Sequence, residues 1–151
     1  MLKKIGFILM LASGMAIGAG ECRWNDIDTD VIPKHCQLLN ISKYIIEDEA
    51  ARAIATVLKE NDTLTKLDIS KSVIEYEGVR ELATALKDNK NIKLTELDLS
   101  WNKIDDRGAR ELATALKDNK NIKLTKLDLS GNEIGAKGAR ELATALKEND
   151  T

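Results

Sequence analysis

Aromatic side chains are nearly missing from this sequence: one Phe, two Tyr and two Trp make up 3% of its 151 residues. That scarcity argues against an enzyme cleft lined by aromatic rings. Histidine is scarcer still, with His35 alone. A single imidazole supplies no base–nucleophile pair, and with two cysteines it completes no zinc ligand set. Charge of one sign is lacking too. The formal charge is −2 with acids and bases mixed along the chain, so there is no basic field for nucleic acid. Beyond the first twenty residues no hydrophobic run has membrane length.

What the chain does have begins with "MLKKIGFILMLASGMAIGAG". Lys3 and Lys4 precede an uncharged, mostly apolar stretch from Ile5 to Ala19, and small residues follow. Ala16 and Gly18, or Gly18 and Gly20, stand at cleavage-like spacing. This layout predicts a signal peptide over residues 1–20 and an exported protein, periplasmic or secreted. An uncleaved N-terminal anchor is the alternative. The segment holds two of the 23 basic residues and none of the 25 acidic ones, so without it the formal charge falls to −4.

From residue 36 onward the chain repeats itself. "RELATALKDNKNIKLT" at Arg80–Thr95 recurs letter for letter at Arg110–Thr125 and begins again at Arg140. The units are 36–63, 64–93, 94–123 and 124–151, the first the most divergent. Each has two halves of different period. In "LTKLDLS", Leu124, Leu127 and Leu129 alternate with polar residues, which predicts a short half-buried strand. In "GVRELATALKDN", Val79, Leu82, Ala83 and Leu86 form one apolar stripe, which predicts a helix. Acids gather at the helix starts and Lys87, Lys117 and Lys147 at the ends, as the helix dipole favours. Asn89 and Asn119 read as helix stops. Gly78, Gly108 and Gly138 recur near each helix start, where a close backbone approach leaves no room for a side chain. A strand–loop–helix of this size cannot bury its own apolar face, so neighbours must stack into an α/β solenoid with parallel strands on one side and helices on the other.

"LTELDLSWNKI" and "LTKLDLSGNEI" resemble the leucine-rich repeat pattern L-x-x-L-x-L-x-x-N-x-I. The 28–30 residue unit and the "GARELATAL" helix are similar to the ribonuclease-inhibitor-like subclass. The resemblance implies strands on a concave face and helices on a convex one. It gives Asn102 and Asn132 the role of bonding backbone at the strand-to-loop turn. Ser72 and Tyr44 stand at that position in the first two units, which puts the ladder in question there. The resemblance also implies non-catalytic protein–protein interaction, in bacteria often with a host or envelope protein. An inhibitor or regulator of an enzyme is a second expectation. A self-assembling structural element is a third.

Alternation assigns directions. The residues between the leucines face the open side of the sheet in columns: Leu38, Lys66, Glu96, Lys126; Asn40, Asp68, Asp98, Asp128; Ser42, Ser70, Ser100, Ser130. Just past the strands come Lys43, Lys71, Trp101 and Gly131. The aspartates repeat with the period of the fold, which favours a structural role over metal or catalysis. Unit-to-unit differences cluster at 71–77, 101–107 and 131–137, all on one rim, and Tyr76 and Trp101 lie there. Variation on one rim marks a binding surface, and exposed Trp and Tyr are favoured anchors. The expected protein-binding set is therefore Lys66, Asp68, Ser70, Lys71, Tyr76, Glu96, Asp98, Ser100, Trp101, Lys126, Asp128 and Ser130. The alternative for either ring is packing on a neighbouring unit. No catalytic residue, cofactor or metal is expected.

The ends remain. Cys22 and Cys36 are 14 positions apart. Either they pair, or Cys36 is a small buried apolar residue where later units have leucine. The second reading carries more weight, because spacing alone does not bring two Cα atoms together. Segment 21–35, with Trp24, Val31, Ile32 and Pro33, reads as an irregular cap over the first unit, or else as a recognition arm. At the other end "ENDT" leads into no further unit, which raises a homodimer through the C-terminal edge or a truncated array.

Overall fold

The two periods resolve into alternating short strands and helices. The computed structural model describes residues 20–23, 36–43 and 46–149. Residues 1–19 of the expected leader, Tyr44, and Trp24, Val31, Ile32, Pro33 and His35 of the N-terminal segment lie outside the described residues. In chain order the elements are β1 (Glu21–Arg23), β2 (Leu38–Asn40), α1 (Asp48–Leu58), β3 (Lys66–Asp68), α2 (Tyr76–Asp88), β4 (Glu96–Asp98), α3 (Asp106–Asp118), β5 (Lys126–Asp128) and α4 (Ala136–Asn149). The strands form one parallel sheet in the order β1-β2-β3-β4-β5. Each helix packs on the next, α1 on α2, α2 on α3 and α3 on α4. This is the α/β solenoid expected from the repeat. Among the described residues no helix is long and apolar enough to cross a membrane.

The core lies between sheet and helices and repeats with the units. Leu64, Leu67, Ile69, Ile74, Val79, Leu82 and Leu86 are all buried, and so are Leu94, Leu97, Leu99, Ile104, Ala109, Leu112 and Leu116. Each fully buried large side chain contributes roughly 1.5–3 kcal/mol. In the fourth unit Leu127, Leu129 and Ile134 are only partly buried. Gly78 and Gly138 are needed for space, not for unusual torsions. A Cβ on Gly78 would sit 2.6 Å from Asp48 Oδ1 and 2.9 Å from Ala51 Cβ. One on Gly138 would sit 2.7 Å from Asp106 Oδ1. Those carboxylates belong to the preceding unit and cap the next helix. Asp106 Oδ1 accepts from the Gly135 and Gly138 N–H groups, both at 2.8 Å. Close approach and inter-unit capping are thus one arrangement.

Two expectations are corrected. Cys22 and Cys36 form a disulfide, with Cα atoms 5.6 Å apart. Both are also core residues, 1% and 0% exposed, so the burial expected of Cys36 and the pairing coexist. Next, the segment after residue 20 is not wholly irregular. Glu21–Arg23 is a fifth strand, with Cys22 in register with Leu39 and Leu67. Chain closure by the disulfide and the free edge of β2 together place it. Asn89 and Asn119 do end their helices as expected, each in an extended conformation, φ −74° and −105°. Their side chains do the stopping. Asn119 Nδ2 donates to the Leu86 and Asn89 carbonyls at 2.7 and 2.8 Å, and its Oδ1 accepts from Asn121 N–H. Asn89 does the same for Leu58, Asn61 and Asn91. Each asparagine satisfies carbonyls that the preceding helix end leaves open.

Candidate functional site

The sheet register brings the expected columns together. Lys66 pairs with Glu96 and Glu96 with Lys126; Asp68, Asp98 and Asp128 form the next row. Lys66 Nζ lies 2.7 Å from Glu96 Oε1. Lys66, Asp68, Glu96, Asp98 and Lys126, with the neighbouring Leu38, Asn40, Leu67 and Leu97, line a shallow depression in the concave face. Among the described residues no three His, Cys, Asp or Glu side chains gather as a metal site.

The row of aspartates has local work. Asp98 Oδ1 accepts from the Ser100 N–H at 2.9 Å and its hydroxyl at 2.6 Å. Asp128 does the same with Ser130 at 2.9 and 2.7 Å, and Asn40 with Ser42 at 3.0 and 2.8 Å. Asp68 accepts the Ser70 N–H. Each is an Asx turn that ends its strand. The Ser130 hydroxyl, then its backbone N–H, holds the Asp128 carboxyl below the usual carboxylate range, with Lys126 adding to it. The same turns correct the expected direction of two serines. Ser70 and Ser100 are each 6% exposed, so they do not stand open on the face. Turning the chain at the strand exit tucks them under the rim, while Ser130 is exposed in the last unit.

The next residue of each turn is left-handed: Lys43 at φ 68°, Lys71 at 57°, Trp101 at 56° and Gly131 at 68°. The N–H groups of Lys43, Lys71 and Trp101 thereby reach the Ser70, Ser100 and Ser130 carbonyls of the following unit. Only glycine adopts this conformation without steric cost, of order 1–2 kcal/mol for other residues. Trp101 therefore stands where the backbone least favours a bulky side chain. It is also 63% exposed. Its ring lies over Gly131: a Cβ there would meet Cδ2 at 2.8 Å and Cε2 and Cε3 at 3.1 Å. Three ring atoms at nearly one distance mean that the face of the indole, not its edge, covers the glycine. Glycine at 131 is what lets tryptophan at 101 lie down. Packing on a neighbour and presentation to solvent are the two faces of one ring.

Tyr76 is placed differently. It opens α2 and is half-buried, with the Arg107 guanidinium 4.6 Å and the Arg80 guanidinium 5.9 Å from its ring centroid. Those cations are held in turn, Arg107 by Asp105 and Arg80 by Glu77 and Glu81. The Tyr76 ring is packed between units, whereas Lys71 and Lys126 are exposed.

Asn102 bears out the role implied by the repeat pattern. Its Nδ2 donates to the Ile69 and Leu99 carbonyls, both at 3.0 Å, and its Oδ1 accepts from Ile74 N–H. Asn132 repeats this with Leu99, Leu129 and Ile104. The convex side neutralises itself. Lys59–Asp88, Lys87–Asp118 and Lys117–Glu148 join each helix to the next at 2.9, 2.8 and 3.1 Å. Sequence reasoning placed Gly131 in the rim column but did not read left-handed backbone from the glycine there.

These features define a leucine-rich repeat solenoid. Residues 60–83, 90–113 and 120–143 each match the family model described as Leucine Rich repeat. Among solved structures the chain is similar to Leiomodin-1 Actin-Binding Site 2 (ABS2), at 26% identity and a TM-score of 0.66. The match covers 76% of this chain and 66% of that one. No curated protein matches the sequence.

Proposed function

We propose that this chain is a non-catalytic protein-interaction module that binds its partner through the concave strand face and the strand-exit rim. The observation that carries the reading is Trp101, a large apolar ring 63% exposed on that rim in a conformation the scaffold disfavours. Opposite it, the helical side is laced by ion pairs within the molecule. The similarity to an actin-binding leucine-rich repeat structure supports protein binding as the use of such a fold. The unit length and helix sequence favour the ribonuclease-inhibitor-like subclass. A buried disulfide and the composition of residues 1–20 favour export, because disulfides persist in oxidising compartments.

A photo-crosslinking residue at position 71 or 126 tests the concave reading, with position 114 on the helical side as control. Protein adducts from 71 and 126 but not from 114 are expected; equal labelling from all three positions overturns the assignment. N-terminal sequencing of the protein from its native source tests export. Processing after Gly18 or Gly20 is expected, and an intact Met1 in the cytosol contradicts it.

A further inference from the structure

The free face of the Trp101 indole and the charges beside it point to the chemistry of what docks there. The ring is fixed without any help from a partner, because Gly131 backs its inner face. The outer face is then a ready stacking platform at the edge of an unpartnered sheet. The ionisable groups of that sheet and of the loops from strand to helix in units 64–93, 94–123 and 124–151 divide into two sets. Lys66 is paired with Glu96, Lys103 with Glu75 at 3.1 Å, and Asp105 with Arg107 at 2.8 Å. Asp68, Asp98, Asp128 and Glu133 have no ion pair among the described residues, and neither do Lys71 and Lys126. Four carboxylates thus face two ammonium groups, and three of the four stand in one row across β3, β4 and β5. In that row the turns use Oδ1, so each carboxylate keeps a second oxygen for a ligand.

A cation over an indole face is attracted by the ring quadrupole, and a planar guanidinium both stacks on it and forks to carboxylates. Resting on the protein-binding reading above, we propose that Trp101 anchors an arginine of an extended basic segment of the partner, which crosses the sheet along the Asp68–Asp98–Asp128 row. Lysine fits less well, having no plane to stack.

The test uses the full chain with Trp24→Phe, leaving Trp101 as its one indole. Synthetic Gly-Arg, Gly-Lys, Gly-Glu and Gly-Ser repeat peptides of equal length are titrated, and a neutral oligosaccharide is run alongside. Indole fluorescence and amide NMR shifts are read. The Gly-Arg peptide is expected to bind best and to shift the resonances of Ser100, Trp101 and Gly131. Its affinity should fall about five-fold or more in Trp101→Gly, from the loss of the cation–π contact. It should fall again in Asp98→Asn with Asp128→Asn, which keep the turn acceptors. Should Trp24→Phe disturb folding, 19F spectra of fluorotryptophan-labelled wild type give the same readout, Trp101→Gly assigning the resonance. Equal binding of Gly-Ser or Gly-Glu peptide, or Gly-Arg binding indifferent to Trp101→Gly, overturns the proposal. If crosslinks from positions 71 and 126 then map to an acidic segment of a protein, the protein-binding reading survives alone. Binding of the oligosaccharide with no protein crosslink sinks both.

Discussion

The two rims of this solenoid are stitched with the same residue but differ in what they tolerate. On the helix-exit rim, Asn89, Asn119 and Asn149 recur in consecutive units, all buried, and each Nδ2 reaches a carbonyl of the preceding helix end. The surrounding sequence is nearly invariant. On the strand-exit rim, Asn102 and Asn132 hold the corresponding place in the third and fourth units, while Ser72 stands there in the second. There the loop sequence changes from unit to unit, and one copy carries Trp101. The helix-exit rim faces buried carbonyls that only a fixed side-chain geometry can satisfy. The strand-exit rim needs one turn and one stitch per unit, and the residues in between are released for recognition.

Substitutions sharpen that contrast. Asn119→Ala should cost most, about 3 kcal/mol, because it strands two buried carbonyls and one N–H. Urea denaturation measures it; a loss below about 1 kcal/mol would mean that water enters and replaces the side chain. Asn102→Ala should cost about 2 kcal/mol and Asn132→Ala about 1, since the bonds match but Asn102 is buried and Asn132 half-exposed. Equal losses would show that exposure does not grade this rim.

Asp105 gives a smaller, pH-dependent effect. Its Oδ1 accepts from the Gly108 and Arg107 N–H groups, and the Gly108 bond first, then Arg107, holds its carboxyl below the usual range. A lowered folded pKa stabilises above the unfolded value of about 3.9, and the effect disappears as pH falls through the lower folded value. Asp105→Ala should therefore cost about 1 kcal/mol at neutral pH and progressively less in acid. A cost constant down to the acid limit would remove the carboxylate from the account. The smallest effect on folding belongs to Trp101→Gly. Relief of the left-handed strain offsets the lost ring contact, so stability should change by under about 1 kcal/mol while binding weakens about five-fold or more. A large fall in melting temperature with binding intact would reverse the assignment of Trp101.

Particular residues show how far the sequence carried. The period of "LTKLDLS" and of "RELATALKDN" was enough to pair Lys66 with Glu96 and to bury Leu67, Val79 and Leu82, because period and repeat length together leave one stacking register. Asn102 was legible from its motif. Ser70 and Ser100 were misdirected, since alternation holds only while the backbone stays extended and their strands have already begun to turn. Asn89 and Asn119 were legible as helix stops but their means of stopping was not, because a stop by side-chain reach across units leaves no local signature.

The sequence by itself determined the solenoid, its strand columns, its variable rim and the isolation of Trp101 there, because all of these follow from local period and from comparing one unit with the next. The tertiary structure alone decided the Cys22–Cys36 pairing and the fifth strand it holds, since both depend on residues 14 positions apart meeting in space. It also decided how the indole lies. Whether a ring covers its neighbour or faces solvent depends on the residue thirty positions on, and here the missing side chain of Gly131 allows it to do both.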